Sequence, residues 1–262
     1  MPGGGTISFV DPVGQRYPDD PVAREEGGTP GIVESVRAGL VVALKQAVGT
    51  DLIREREQRF LRRALERWRR NPNLELLGNL EADRLPIGSF RVRHGPRYLH
   101  HELVVAMLND LFGIQARGGC SCAGPYGHRL LGIDPDRSSA LSELAGRGFL
   151  GIKPGWVRLS FNYFIGDAEA GFLVEAVDLV AAHGHRLLGD YRFDPRSGHW
   201  RHRDAPPDPA PSLAGLLDVR LDPGPGAGED ALAGYLEQAR ALLGTAGPAA
   251  TVTGPSWLPP DL

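Results

Sequence analysis

Ala116-Arg-Gly-Gly-Cys-Ser-Cys-Ala-Gly-Pro125 is the stretch on which the reading of this chain turns. Ahead of it, Leu99, Leu103, Val104, Met107, Leu108, Leu111 and Phe112 recur at helical spacing, and Gly113 is placed to end that helix with a left-handed cap. Ile114 to Arg117 then predicts a short strand and the Gly/Cys run a tight loop. Downstream, Val157-Arg-Leu-Ser-Phe-Asn-Tyr-Phe-Ile165 alternates with period two, so Val157, Leu159, Phe161, Tyr163 and Ile165 share one face and Arg158, Ser160 and Asn162 the other. Asp167 follows as the N-cap of a helix running to about His183, closed by Gly184. Helices and strands interleave around a cysteine-bearing turn, the pattern of an α/β to α+β chain.

The loop brings an arginine and thiols together. Arg117 stands five residues before Cys122, separated by flexible glycines, and a guanidinium so placed lowers a thiol pKa or holds a carboxylate by a two-pronged contact. Two small buried cysteines in a turn satisfy the same spacing. A metal site of Cys120, Cys122 and a histidine such as His128 is a weaker reading, since no second Cys pair or spaced His pair accompanies it. Arg158, on the polar face of its strand, is either solvated or, where that face meets a cleft, a carboxylate clamp. His100 and His101 lie off the apolar stripe of their helix and are predicted to be solvated.

Outward from this centre the chain has 262 residues, enough for one or two domains. Glycine (35) and proline (22) disfavour a helical bundle. A net charge of −3 and a pI near 6.2 give no electrostatic case for nucleic acid or an anionic membrane. Lys45 and Lys153 are the only lysines, so lysine-dependent covalent chemistry has two candidates. Two cysteines in Cys-Ser-Cys spacing make no disulfide framework and suit a reducing cytoplasm. With neither a signal peptide nor an apolar run of membrane-spanning length, the expectation is a soluble intracellular protein.

Toward the N-terminus, glycine-rich loops flank a strand from Thr6 to Val10. A helix carries Ile32, Val33, Val36, Leu40, Ala43 and Leu44, and another runs from about Asp51 to Arg70. Its arginine-rich face, with interleaved acids, predicts a solvated surface. Leu74 to Leu77 and Leu85 to Val92 read as strands, and residues 126–152 as an irregular insertion with one short helix. Beyond residue 190, Tyr191-Arg-Phe and His199-Trp-Arg-His flank Asp194-Pro-Arg-Ser-Gly198 as a hairpin, before a Pro-rich linker from Ala205 to Pro211 and a helix near Glu229 to Leu243.

Taken in order, Gly3-Gly4-Gly5, Arg24-Glu-Glu-Gly-Gly-Thr-Pro30, Leu103 to Gly113, Arg117 to Pro125 and Val157-Arg-Leu-Ser-Phe161 resemble the class V aminotransferase superfamily of pyridoxal-phosphate (PLP) enzymes. The branch is the cysteine desulfurase and selenocysteine lyase type, and the likeness covers the family's post-lysine half over about residues 2 to 186. The resemblance implies the end of a fold-type I large domain over 1–50 and a small C-terminal α+β domain over 51–189, interrupted by 126–152. A hairpin, linker and extension over 190–262 complete it. It places Cys122 at the persulfide-forming cysteine, Arg117 and Arg158 at the arginines serving the substrate carboxylate, and Gly28 and Thr29 at the loop that reaches the PLP phosphate of the neighbouring subunit in family dimers. A homodimer, a small amino-acid substrate and a sulfur acceptor protein are the partners it implies. The family's PLP-anchoring lysine lies upstream of the point where this chain begins, and neither Lys45 nor Lys153 matches it, so the chain alone is expected to be inactive. Cys120, at a position often held by histidine, and the insertion beside the site are departures from the pattern. A transaminase or epimerase of the same superfamily, or a non-catalytic dimerisation module, remains an alternative.

Overall fold

The computed structural model describes residues 5–119, 124–206 and 228–246. The chain divides into two compact units, Met1–Arg54 and Glu55–Leu262. In the first, β1 (Phe9–Asp11) and β2 (Gly14–Arg16) form a small antiparallel hairpin. The strand expected from Thr6 therefore starts later and gains a partner, because the Asp11 carboxylate accepts from the Val13 and Gly14 amides and turns the chain back. A short helix α1 (Pro21–Glu25) follows, capped by Asp20, then α2 (Ile32–Val48).

The second unit is built on an antiparallel sheet centred on β4 (Ile87–His94). One edge of β4 pairs with β3 (Leu74–Leu76); the others of its pairings are with β6 (Val157–Ser160) and the two-residue β5 (Arg97–Tyr98). Register assigns the faces. Phe90 sits opposite Val157, and with Val92 and Leu159 these residues are buried. Ser89 sits opposite Arg158 and Glu75 opposite Arg91, so the polar residues share the other face.

Helix α3 (Thr50–Trp68) lays Phe60, Leu61, Ala64, Leu65 and Trp68 on the apolar face. Trp68 is fully buried, donates its indole N–H to the Val174 carbonyl at 3.0 Å, and packs against Phe90 and Phe161. Gly88 makes room for it: a Cβ there would lie 2.6 Å from the indole ring. Helix α4 (His101–Phe112) buries Leu103, Val104, Met107, Leu108 and Phe112 and ends at Gly113, in the left-handed conformation expected. Helix α7 (Asp167–His183) completes the core with Ala170, Phe172, Val174, Val177 and Val180.

Several expectations are corrected. The arginine face of α3 is not simply solvated: Arg59 and Arg67 pair with Asp167 and Asp178, and Arg56 donates to the carbonyls of Tyr163 and Ile165. Those last bonds explain why β6 stops at Ser160 rather than at Ile165, since a side chain has taken the carbonyls that a neighbouring strand would need. Ile114 to Arg117 is no regular strand, making one bridge, Arg117 to Arg158. The N-cap of α7 is Gly166, whose amide donates to Glu169, and Asp167 is its first residue. Residues 126–152 are ordered helix: α5 (Gly124–Leu131), α6 (Pro135–Gly146) capped by Asp134, and a 3-10 turn, Leu150–Ile152. The missed signal was Asp134-Pro135, an N-cap with proline in the first turn.

After α7 a 3-10 turn leads into β7 (Tyr191–Phe193), paired with β8 (Trp200–His202) as expected. Helix α8 (Asp230–Thr245) buries Ala239 and Leu243. Among the described residues no helix is long and apolar enough to cross a membrane.

Candidate functional site

Arg117 and Arg158 are brought together by the backbone. The Arg117 amide donates to the Arg158 carbonyl at 3.1 Å and the Arg158 amide to the Arg117 carbonyl at 2.8 Å, so the two side chains stand opposite one another on one face. Because Val157 and Leu159 face the core beneath α4, that face is the polar side of the sheet. Arg158 is half-buried, and its Nε and Nη2 are buried without a hydrogen-bond partner among the described residues. The indole N–H of Trp156 and Oδ1 of Asn162, on the same alternation, are orphaned in the same way. Buried guanidinium donors without partners cost free energy unless a ligand engages them, and a planar fork of N–H groups matches a carboxylate. Helix α5 closes over this corner: a Cβ on Gly127 would lie 3.5 Å from the Trp156 ring.

The loop that follows Arg117 is short of side chains on its other side for a visible reason. A Cβ on Gly118 would fall 2.7 Å from Oε1 of Glu102, and one on Gly155 would fall 2.6 Å from the Gly119 carbonyl carbon and 2.8 Å from Cε1 of His101. Gly119 itself has φ +106°, a conformation glycine adopts freely. The first turn of α4 therefore presses on the segment after Arg117 from the core side.

His100 and His101 depart from expectation in consequence. His100 donates through Nε2 to the Gly151 carbonyl at 2.7 Å and accepts at Nδ1 from the Glu102 amide, which fixes the neutral tautomer. Burial holds its pKa below the ordinary imidazole range. His101 stacks on His100 at 4.3 Å, and burial, then the electrostatic effect of the adjoining His100 ring, pushes its pKa down to about 3. Burial raises the Glu102 carboxyl above its ordinary value, against the pull of His199. These three residues line a cavity of about 280 Å³ with Gly119, Gly151, Lys153 and the hairpin tip Ser197–His199. Sequence periodicity missed them because His-His-Glu in a first helical turn reads as polar surface. The glycines at 118, 119 and 155 were the available signal of close backbone approach.

Cys120 and Cys122 lie outside the described residues. Gly28 and Thr29 lie in the first unit, in an exposed bend just ahead of Gly31, the N-cap of α2. Gly28 has φ +82° and open space where a Cβ would be. His128 engages the Gly124 carbonyl and the Ser138 hydroxyl through its two ring nitrogens. Among the described residues no group of three or more His, Cys, Asp or Glu side chains is arranged to hold a metal.

Comparison with known proteins bears on both units. The family model for aminotransferase class-V matches residues 1–168. A cysteine desulfurase of Salmonella agona (strain SL483) is 32% identical over 102 residues, which are 39% of this chain and 23% of that protein. A probable cysteine desulfurase of Halobacterium salinarum is 27% identical over 160 residues, 61% of this chain and 32% of its own length. Among solved structures, the apo cysteine desulfurase of Thermococcus onnurineus NA1 has a TM-score of 0.53 at 24% identity, over 69% of this chain and 38% of that one, a likeness of fold. The chain thus spans between 23% and 32% of the curated relatives it matches.

Proposed function

Because the chain belongs to the aminotransferase class-V family, we propose that it is the C-terminal portion of a PLP-dependent enzyme that takes sulfur from a small amino acid, cysteine first, onto Cys122. The observation that carries this reading is the Arg158 guanidinium, half-buried with two donor nitrogens that find no partner among the described residues, and locked across from Arg117.

Arg158 takes the substrate carboxylate on its planar fork, and Arg117, exposed at the mouth, adds positive charge on the same face. With the carboxylate fixed, the substrate sulfur is presented to Cys122. The thiolate attacks that sulfur, the substrate C–S bond breaks as the S–S bond forms, and the carbon keeps the electron pair and takes up a proton to give alanine. Positive charge from Arg117 favours the thiolate over the thiol.

The donor set of the first unit suits the phosphate end of PLP: Gly28 and Thr29 would hold it in an exposed bend just ahead of a helix N-terminus, whose dipole favours an anion. When bound, PLP supplies an electron sink for the substrate's α-carbon. Lys45 on α2 and Lys153 after the 3-10 turn are both exposed, and this reading assigns the anchoring lysine to a part of the protein outside these residues. Residues 1–50 are then the end of the PLP-binding large domain, a reading supported by α2, an apolar helix with no buried residue. A homodimer and a sulfur acceptor are the partners that follow from it.

The test is the protein of the complete reading frame, supplied with PLP and cysteine. Cys122→Ser should lower alanine and sulfide release by at least a hundredfold, and Arg158→Ala should raise KM with a smaller change in kcat. Release unchanged by Cys122→Ser would overturn the assignment.

A further inference from the structure

Trp156 is a buried aromatic residue whose polar atom is left unpaired. The side chain is only 4% exposed, and its indole N–H is buried with no hydrogen-bond partner among the described residues. A buried tryptophan ordinarily finds an acceptor, as Trp68 does in the core of the same unit by donating to the Val174 carbonyl. Helix α5 covers the benzene edge of the Trp156 ring: a Cβ on Gly127 would lie 3.5 Å from its Cζ3 and 3.8 Å from its Cη2. The N–H is on the pyrrole end, away from that contact.

The backbone fixes the neighbours of this ring. The Trp156 amide donates to the Gly119 carbonyl at 3.3 Å and the Arg158 amide to the Arg117 carbonyl at 2.8 Å, so residues 156 and 158 are successive same-face positions of one extended segment. Val157 between them is buried in the core, which leaves both on the polar face. The Arg158 guanidinium carbon lies 5.9 Å from the centre of the Trp156 ring. On the neighbouring strand Phe90 pairs with Val157, which sets Arg91 next to the Trp156 position, and the Nε of Arg91 is also buried without a partner. Adjacent positions of one face thus hold N–H groups without acceptors among the described residues: Arg91 Nε, Trp156 Nε1, and Arg158 Nε and Nη2. Glu75, opposite Arg91, does not answer them, because Arg91, Arg93 and Tyr98 already engage it.

Such a set calls for an anion with several acceptor sites. A guanidinium fork takes one lone pair from each oxygen of a carboxylate, and an N–H beside the fork meets one of the lone pairs that remain. We propose that Trp156 is a third donor to the carboxylate held by Arg158, and that it makes this site select free carboxylates over carboxamides. The inference rests on the reading of Arg158 as a carboxylate site. A carboxamide offers a single oxygen and turns an NH2 group toward donors, so one buried N–H stays unpaired. Arg158, the partly exposed member of the pair, is the end from which the ligand enters. Both donors belong to this chain, so the carboxylate binds without PLP.

The experiment is an NMR titration of the isotope-labelled full chain with sodium acetate and, separately, with acetamide at constant ionic strength, following the indole N–H signals and the Arg158 Nε–H signal. Acetate should shift the Trp156 and Arg158 signals saturably with one midpoint, and acetamide should shift neither. Trp68, whose N–H already has its acceptor, and Trp200, whose N–H is buried without a partner but lies on the β7–β8 hairpin, should stay in place. Trp156→Phe keeps the ring and removes the donor, and should weaken acetate binding at the Arg158 signal about tenfold. The Trp156 signal is assigned in the parent, so the titration does not depend on the fold of a variant. An Arg158 signal that saturates while Trp156 stays still, an equal response to acetamide, or a shift shared with Trp200 overturns the inference. No saturable response at either group overturns it together with the carboxylate reading of Arg158. Binding needs no turnover, so the outcome is separate from the desulfuration test. Acetate held by Trp156 and Arg158 in an enzyme indifferent to Cys122→Ser removes the sulfur transfer and leaves the third donor standing.

Discussion

Helices α2 and α4 look alike as sequence and differ completely in fate. Both are rich in Leu and Val and lack charge over most of their length. Helix α4 buries five apolar side chains, whereas Ile32, Val33, Val36, Leu40, Val41 and Leu44 of α2 are each more than half exposed. The difference lies outside the helices themselves. Helix α4 sits over a sheet face and against α7 within one core, while α2 belongs to a unit whose described residues form a single two-stranded hairpin. An apolar helix reports that a partner surface exists, and not which part of the protein provides it.

The comparison breaks most readily at Trp68. Trp68→Ala should cost about 3–5 kcal/mol in urea unfolding of the second unit, while Leu40→Ala in α2 should stay within about 0.5 kcal/mol. A large effect at Leu40 would mean that α2 is already covered in this chain. Next in size, Gly88→Ala should cost about 1–3 kcal/mol by pushing a methyl group into the Trp68 ring.

A smaller effect separates the units by pH. His101 resists protonation in the folded state, so the unfolded chain binds more protons once pH falls below the ordinary histidine value. The stability that depends on neutral His101 is complete above that value and is lost progressively as pH falls toward about 3. His101→Asn should flatten that part of the pH–stability curve, and an NMR titration of the ring should show no midpoint near neutrality. The smallest expected effect is at Glu75. Burial works to raise its pKa, but the hydrogen bond from Tyr98 and the pairing with Arg91 and Arg93 outweigh burial and hold it below the ordinary value. Stability from this carboxylate is present above its ordinary pKa and is lost as pH falls through the lowered one. Glu75→Gln should therefore destabilise slightly at neutral pH and remove part of the acid dependence.

Much of this was legible in the sequence. Period-two alternation placed Arg158 opposite Val157 and Leu159, and the spacing of Leu103, Val104, Met107 and Leu108 gave α4 with its Gly113 stop. The Arg117–Arg158 pairing was accessible only in part, since an isolated bridge leaves no alternating run to detect. His100 and His101 were misread because a side chain off the apolar stripe can still be buried by something distant in sequence, here the hairpin near residue 200. The early end of β6 was hidden for a similar reason: the carbonyls after Phe161 are claimed by Arg56, more than a hundred residues earlier. Local patterns record which face is apolar, and long-range polar contacts leave no such trace.

The bridge between Arg117 and Arg158 sets two like charges directly across from one another, an arrangement that works against pairing. A carboxylate arriving there would do more than meet a guanidinium fork. It would cancel the repulsion across the bridge and tighten the segment it binds to, so occupancy and local order rise together. A small carboxylic acid that saturates the pair should therefore raise the melting temperature and slow amide exchange at Arg117 and Arg158, the two residues whose backbones close the bridge.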